Sequence, residues 1–321
     1  MISDFGISIS DLIFMSPIAV IDLGTNTFHL LIAEGSPSAY REIVHEHIGV
    51  KIGEGGINKG LIQPAAFERG IKAMQQFQQL ILAHRVKSVR AIATSALRNA
   101  ANGQDFIDEV KAHTGITIEI IDGDEEAAYI YKGIKASGCL SNQNSLIIDI
   151  GGGSVEFIIG NNEQVEWKQS FEIGCARLMD KFHQTDPIPS KSINALNLYL
   201  EDSLTDLFAA ASDYSIESLI GASGAFETYA EVIELEKGNP FDLKKTKHYE
   251  FRYDELLAVT KKLIRSSHQE RLNTKGIIPI RIDMIVVASL LTRFIMQKLK
   301  ITEVAMSTSS LKEGVLAEMM G

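Results

Sequence analysis

The distribution of apolar residues along the chain predicts a mixed α/β protein. Short apolar runs rich in isoleucine and valine predict buried strands, for example at 18–22 and 145–149. Between such runs, apolar residues recur at helical spacing, as they do over 64–83 and 190–211. Strands that alternate with helices of this length are typical of an α/β fold.

Two of the predicted strand pairs share one sequence pattern. In 18–32 and in 145–159, an apolar strand ends in an aspartate, passes through a turn with glycine and a hydroxyl residue, and returns as a second apolar strand. The alignment pairs Asp22 with Asp149, Gly24 with Gly151 and Thr27 with Ser154. This match predicts an internal repeat, and therefore two related halves that face one phosphate-rich site. For either copy alone, an ordinary hairpin with an acidic turn is the alternative interpretation.

The glycines in these turns favour phosphate binding. Without a Cβ atom, consecutive backbone N–H groups can approach and point at one anion. Asp149, at the end of the first strand of its pair, is placed to hold a metal ion against that anion. The turns therefore predict a metal-assisted phosphate site.

Length and composition limit the protein class. A chain of 321 residues with 22% charged and 45% hydrophobic residues predicts two globular domains, which we place at 17–136 and 137–321. Residues 1–16 lack lysine and arginine and are expected to be a dispensable leader rather than a secretory signal. The longest apolar run, 285–291, is far short of the ~20 residues of a membrane helix, so no membrane partner is expected.

The net charge and the cysteine content indicate which binding partners and which cellular compartment to expect. The net charge of −10 argues against nucleic-acid binding, yet a metal ion and backbone N–H groups can still attract a small polyanion. Cys139 and Cys175 have no disulfide or metal-ligand spacing, which indicates a reducing compartment. We therefore expect a cytoplasmic protein.

Three further segments carry candidate chemistry. Arg98 follows a predicted strand and is placed to bind phosphate bidentately, although a surface arginine is the commoner explanation. In the acidic segment 123–127, Asp124 is expected to cap a helix. The alternative is that one of the carboxylates in this segment activates a water molecule. The strand, glycine turn and helix of 217–230 can bind an anion or lie against a nucleotide.

These motifs together resemble the actin-like (ASKHA) phosphotransferase superfamily. Within it the chain is most similar to the exopolyphosphatase / guanosine pentaphosphate phosphohydrolase (Ppx/GppA) phosphatase family, in its short two-domain form. The segments that carry the resemblance are 21–29, 93–98, 123–127, 149–156 and 221–224. The resemblance covers the chain from Pro17 onward and implies two actin-like (ribonuclease H-like) domains with an active-site cleft between them.

The resemblance also implies roles for individual residues. Glu126 would be the base that activates water, and Asp149 and Glu156, helped by Asp22, would hold Mg²⁺ or another divalent cation. The groups that would grip substrate are Arg98, the third glycine turn at Gly224, and the backbones of Gly24, Thr25, Asn26, Thr27, Gly151, Gly152, Gly153 and Ser154. The implied activity is release of terminal phosphate from polyphosphate or guanosine pentaphosphate, a stringent-response alarmone, by a homodimer.

The chain also departs from the family pattern, and other functions stay open. Where many relatives read Ser-x-Gly-Gly-Leu-Arg-Glu-Gly, this chain has a different sequence at 307–314, so the resemblance leaves open whether that loop contacts the site. Longer relatives have an additional C-terminal helical region that helps to bind long polyphosphate chains, and this sequence does not include that region. Hydrolysis is therefore expected more firmly than processive action on long polyphosphate. An ATP-dependent kinase or ATPase, with adenosine at 221–224, and a catalytically weak alarmone sensor are the alternatives, and Glu126 favours hydrolysis.

Overall fold

The computed structural model describes residues 16–36, 39–222 and 224–321, so the predicted leader lies outside the described residues except for Ser16. The strands are β1 (Ile18–Leu23), β2 (Phe28–Ser36), β3 (Ala39–Ile48), β4 (Ser88–Ala93), β5 (Ile118–Ile120), β6 (Ser145–Ile150), β7 (Val155–Gly160), β8 (Val165–Phe171), β9 (Ser218–Ala222), β10 (His248–Phe251) and β11 (Glu303–Ser307).

The helices occupy the segments between these strands. They are α1 (Pro64–Ala83), α2 (Ser95–Arg98), α3 (Gly103–Thr114), α4 (Gly123–Ser137), α5 (Cys175–Phe182), α6 (Ser190–Ser203), α7 (Thr205–Asp213), α8 (Gly224–Glu236), α9 (Tyr253–Arg265), α10 (His268–Leu272), α11 (Met284–Leu299) and α12 (Leu311–Met320), with short 3-10 helices at Ile57–Lys59 and Pro279–Arg281. The predicted α/β class is confirmed. In the described part of the chain, no helix is both long and apolar enough to cross a membrane.

The strands form two sheets with the same core topology. The first sheet has the order β3-β2-β1-β4-β5, and the second has the order β10-β11-β9-β6-β7-β8. In each sheet an antiparallel three-stranded meander continues into two parallel strands, and β10 adds an antiparallel edge to the second. The chain therefore consists of two related lobes, one built on each sheet.

The predicted repeat is confirmed at the level of single residues. Asp22 pairs with His29 across β1 and β2, and Asp149 pairs with Glu156 at the same place across β6 and β7. A Cβ atom on Gly24 would lie 2.9 Å from the carbonyl oxygen of Thr27, and one on Gly151 would lie 2.9 Å from that of Ser154. Both turns are too tight at this position for any residue but glycine.

Two helix boundaries differ from the prediction. The segment 190–211 forms two helices, because the chain breaks between α6 and α7 at Leu204. The cap of α4 is Asp122 rather than Asp124. Asp122 has the extended backbone that an N-cap needs, and its Oδ1 accepts bonds from the backbone N–H of Asp124 at 2.9 Å and of Glu125 at 2.8 Å. Glu126 therefore lies in the first turn of α4.

Helices α4 and α12 pack between the lobes. Apolar side chains of both helices share one buried cluster with residues from both sheets, including Val20, Ile147 and Val315. A Cβ atom on Gly314 would lie 1.9 Å from the carbonyl oxygen of Tyr129, and one on Gly133 would lie 2.2 Å from that of Ser310. The two helices thus meet backbone to backbone, and each begins at the cleft.

Candidate active site

The two glycine turns meet in the cleft between the lobes. A Cβ atom on Gly152 would lie 2.2 Å from Nδ2 of Asn26, and one on Gly153 would lie 2.6 Å from Oγ1 of Thr25. Gly151 corresponds to Gly24 of the first turn. These contacts explain why the second turn also has glycine at 152 and 153. The structure therefore brings together the two segments for which the sequence predicted a common site.

Buried carboxylates lie behind these turns. Burial raises the pKa of Asp22 to about 7, with a smaller contribution from the charge of Asp149. Burial and the charge of Asp149 raise the pKa of Glu156 to about 8, although bonds from the hydroxyls of Ser170 and Ser154 oppose the shift. Oδ1 of Asp22 is buried and has no hydrogen-bond partner among the described residues. The cluster therefore concentrates negative charge that nearby cations must balance.

Glu126 joins this cluster from the first turn of α4. It is only 7% exposed, and burial followed by the charge of Glu156 raises its pKa well above the usual value. Arg98 opposes this shift, since its Nη1 lies 3.1 Å from Oε2 of Glu126. The same Nη1 donates to the carbonyl of Ile121 at 2.9 Å, which fixes the guanidinium beside the start of α4.

A second set of polar residues, which the sequence did not indicate, holds Arg98 from the other side. Nη2 of Arg98 donates to Oε1 of Glu172 at 3.1 Å. Oε2 of Glu172 accepts from Oγ of Ser95 at 2.6 Å and from Nη2 of Arg177 at 2.8 Å. Arg177 also donates to the carbonyl of Gly153 at 2.8 Å. The network connects the second glycine turn to the Arg98–Glu126 pair.

The C-terminal loop also reaches the site, so the contact that the sequence comparison left open is present. Oγ of Ser310 donates to Oδ2 of Asp149. Lys312 is 9% exposed, its ammonium lies 3.1 Å from Glu313, and its charge lowers the pKa of Asp22. Burial lowers the pKa of Lys312 itself, but the nearby carboxylates outweigh burial and raise it. The Ser310-x-x-Glu313 capping pattern is a sequence signal that places this lysine at a helix start.

The third glycine turn flanks the same cleft. Gly224 begins α8 with a φ of +42°, and a Cβ atom there would have no neighbour within 4 Å among the described atoms. Arg281 donates to two residues near the start of α8, to Glu227 at 2.8 Å and to Thr228 at 3.1 Å. Glu227 also raises the pKa of Lys312, so this helix start lies near the acidic cluster.

The acidic residues fit a divalent cation by their chemistry. Carboxylate oxygens are the ligands that Mg²⁺ prefers, and the unpartnered Asp22 oxygen and the raised carboxyl pKa values show where positive charge is needed. Within 16–36, 39–222 and 224–321, no three His, Cys, Asp or Glu side chains are arranged as a complete metal site. Mg²⁺ usually uses one or two carboxylates, completed by water and substrate phosphates, and Asp149 with Glu156 supplies such a pair.

Two duplicated lobes that meet around buried carboxylates define an actin-like α/β protein with an acidic cleft. The chain belongs to the Ppx/GppA phosphatase family, whose family model matches residues 31–321. Enzymes of this family generally depend on divalent cations. The predictions of family and of two actin-like domains are confirmed.

Three comparisons place the chain within the family. It is 25% identical to the guanosine-5'-triphosphate,3'-diphosphate pyrophosphatase of Vibrio campbellii, over 94% of this chain and 59% of the relative. It is 26% identical to a putative exopolyphosphatase of Haemophilus influenzae, over 93% of this chain and 90% of the relative. A crystal structure of an exopolyphosphatase from Cytophaga hutchinsonii superposes with a TM-score of 0.92 at 39% identity, over 95% of this chain and 97% of that one.

Length separates the chain from some of these relatives. It spans about half the length of the pyrophosphatases it matches, 44% of one from Aliivibrio fischeri and 59% of the Vibrio protein.

Proposed function

We propose that the protein is a hydrolase that releases terminal phosphate from inorganic polyphosphate or guanosine pentaphosphate. Relatives named as a guanosine-5'-triphosphate,3'-diphosphate pyrophosphatase and as a putative exopolyphosphatase support this proposal. The observation that carries it is Glu126, a buried carboxylate whose pKa is raised by burial and by the charges of Glu156 in one lobe and Asp22 in the other. A raised pKa makes the carboxylate a stronger base, so that in its ionised form, held beside Arg98, it can take a proton from water.

In the proposed reaction, Glu126 accepts a proton from the attacking water. The water oxygen forms a bond to the terminal phosphorus, the bridging P–O bond breaks, and its electron pair leaves with the shortened chain. Arg98 holds the carboxylate of Glu126 in place through the 3.1 Å contact. A base aligned beforehand lowers the barrier because little reorganisation is needed during the reaction.

The glycine turns supply the phosphate contacts in this proposal. Backbone N–H groups of Gly24, Thr25, Asn26 and Thr27 face one side of the terminal phosphates, and those of Gly151, Gly152, Gly153 and Ser154 face the other. Gly224 contributes from the start of α8. Mg²⁺ held by Asp149 and Glu156, with Asp22 from the other lobe, would neutralise charge on the phosphoryl oxygens.

Cellular location and assembly belong to the same proposal. Cys139 and Cys175 are both free, and burial raises the pKa of the Cys175 thiol to about 12, so that thiol is inert. Free cysteines and a net charge of −10 support a cytoplasmic protein that does not bind nucleic acid. The homodimer that the resemblance implies stays a prediction, and the proposed domains remain 17–136 and 137–321.

Phosphate release by the purified protein with Mg²⁺ tests the proposal. Long-chain polyphosphate, guanosine pentaphosphate and ATP are compared under the same conditions. Release from either of the first two, with slow ATP turnover, is expected. Turnover of ATP alone would instead support the kinase or ATPase alternative, and binding without any release would support a sensor.

A further inference from the structure

The carboxylate of Glu172 lies where the two lobes meet and accepts hydrogen bonds from both. Glu172 directly follows β8 and so belongs to the second lobe. From the first lobe, Oγ of Ser95 donates at 2.6 Å and Nη2 of Arg98 at 3.1 Å. From the second lobe, Nη2 of Arg177 donates at 2.8 Å. The two carboxylate oxygens therefore occupy a site lined by a hydroxyl and two guanidiniums.

This carboxylate brings together two like charges. Arg98 and Arg177 come from opposite lobes, and their side chains are only 18% and 12% exposed. Guanidiniums that are partly shielded from water repel each other more strongly than they would in bulk solvent. Glu172 pairs with both of them. The lobes can therefore place two cations side by side here because an anion lies between them.

Glu172 is ionised, and solvent reaches it. Burial alone would raise the pKa of Glu172, but the hydrogen bond from Ser95, together with the nearby Asn99 and Arg177, outweighs burial and lowers the pKa. The side chain of Glu172 is 42% exposed, whereas Ser95 is buried. The donors of this site are therefore fixed, and an anion from solution can compete with the carboxylate for them.

The glycine turn at 151–153 holds the segment of Glu172 in place. Backbone N–H groups of 174–176 donate to the three carbonyls of this turn at 2.8–3.1 Å. A Cβ atom on Gly174 would lie 2.4 Å from the carbonyl oxygen of Gly152, so the segment lies directly against the turn. Glu172 is therefore attached to the part of the site that is proposed to bind phosphate.

We propose that Glu172 is a positioning residue that fills an anion site between the lobes and excludes free phosphate from it. Its role in catalysis rests on the proposed function, because Arg98 also holds Glu126 at 3.1 Å. A phosphate ion offers oxygen acceptors to paired guanidiniums, as a carboxylate does. Without the charge of Glu172, orthophosphate released by the reaction would bind between Arg98 and Arg177 and draw Arg98 away from Glu126. With Glu172 in place, Arg98 stays beside the base.

Two substitutions of Glu172 separate its charge from its shape. Glu172→Gln keeps the shape and removes the charge, whereas Glu172→Asp keeps the charge on a shorter side chain. Orthophosphate binding is measured by calorimetry in the presence of a chelator, so that phosphate cannot bind through a metal ion. We expect Glu172→Gln to bind orthophosphate at least about tenfold more tightly than the wild type, equivalent to about 1.4 kcal/mol. Glu172→Asp should bind it more weakly than Glu172→Gln does.

A control variant and a turnover assay complete the test. Glu163→Gln, at an exposed residue between β7 and β8, should bind orthophosphate as the wild type does. During hydrolysis of long-chain polyphosphate, added orthophosphate should inhibit Glu172→Gln at about a tenth of the concentration that inhibits the wild type. Equal orthophosphate affinity of Glu172→Gln and the wild type, or the same gain in Glu172→Asp, would overturn the inference. Absence of hydrolysis would refute the proposed function, and the calorimetric comparison would still decide whether Glu172 fills an anion site.

Discussion

Replacing Glu126 with glutamine is the sharpest test of the proposed chemistry, because it changes the charge and almost nothing of the shape. The amide oxygen can still accept from Nη1 of Arg98, which lies 3.1 Å from the carboxylate. The amide cannot take a proton from water, so the base is lost. General bases contribute roughly 10²- to 10⁴-fold to rate. At 1.36 kcal/mol per tenfold, we expect the barrier to rise by about 3–5 kcal/mol.

The same substitution is expected to preserve or increase stability. Burial, and then the charge of Glu156, raises the pKa of Glu126. A carboxyl group with a raised pKa in the folded state loses its proton first in the unfolded state, so stability falls as pH rises above the unfolded value of about 4.3. Glutamine stays neutral and avoids this penalty. The variant should therefore melt at or above the wild-type temperature at pH 8.

The assay is phosphate release at saturating substrate with Mg²⁺, alongside thermal unfolding and substrate binding. Glu125→Gln is the matched control, since Glu125 is exposed and its bond to the backbone N–H of Asp122 is one that glutamine also makes. We expect the control to keep its activity. A Glu126→Gln enzyme with wild-type turnover would refute the role of Glu126. A marked fall in its melting temperature would show that the activity loss is structural.

Three further changes test the electrostatics and packing of the site. Arg98→Met should move the acidic limb of the kcat profile to higher pH, since the guanidinium lowers the pKa of Glu126, and an unmoved limb would contradict this coupling. Asp22→Asn should be more stable than the wild type at pH 8 in the presence of a chelator, because the pKa of Asp22 is about 7 and the wild type must then bury an ionised carboxylate. At pH 4 the carboxyl is protonated in the folded wild type, so no gain in stability is expected. Equal melting curves at pH 8 would argue against the raised pKa. Gly314→Ala should cost at least about 1–3 kcal/mol in urea unfolding, because its Cβ would meet the carbonyl of Tyr129, whereas Gly321→Ala should not.

The sequence predicted those parts of the structure that are encoded locally. Asp22 and Asp149, with their glycine turns, were recognisable because strand, turn and strand are adjacent in the chain and occur twice. The cap of α4 was placed two residues late, since Asp122 and Asp124 are both good capping residues. Only the backbone conformation, extended at Asp122, distinguishes them.

The residues that the sequence did not predict act over long separations. Ser310 contacts Asp149 across 161 positions of the chain, and Glu172 contacts Arg98 across 74. Neither pair has a characteristic spacing, because tertiary packing rather than local geometry brings them together. Lys312 was missed for another reason: it departs from the family pattern, yet it is buried and its charge lowers the pKa of Asp22.

The two halves of the repeat differ at the position opposite the aspartate, and this difference decides which half supplies more ligands to a metal ion. In the first half that position is His29, whose pKa is lowered by burial and then by the positive charge of Lys312, so the ring is neutral. In the second half it is Glu156, which adds a second carboxylate to Asp149. Mg²⁺ prefers oxygen ligands to an imidazole nitrogen, and the paired carboxylates of the second half supply such oxygens. We therefore expect the second half to hold most of the metal's ligands and Asp22 to contribute from across the cleft.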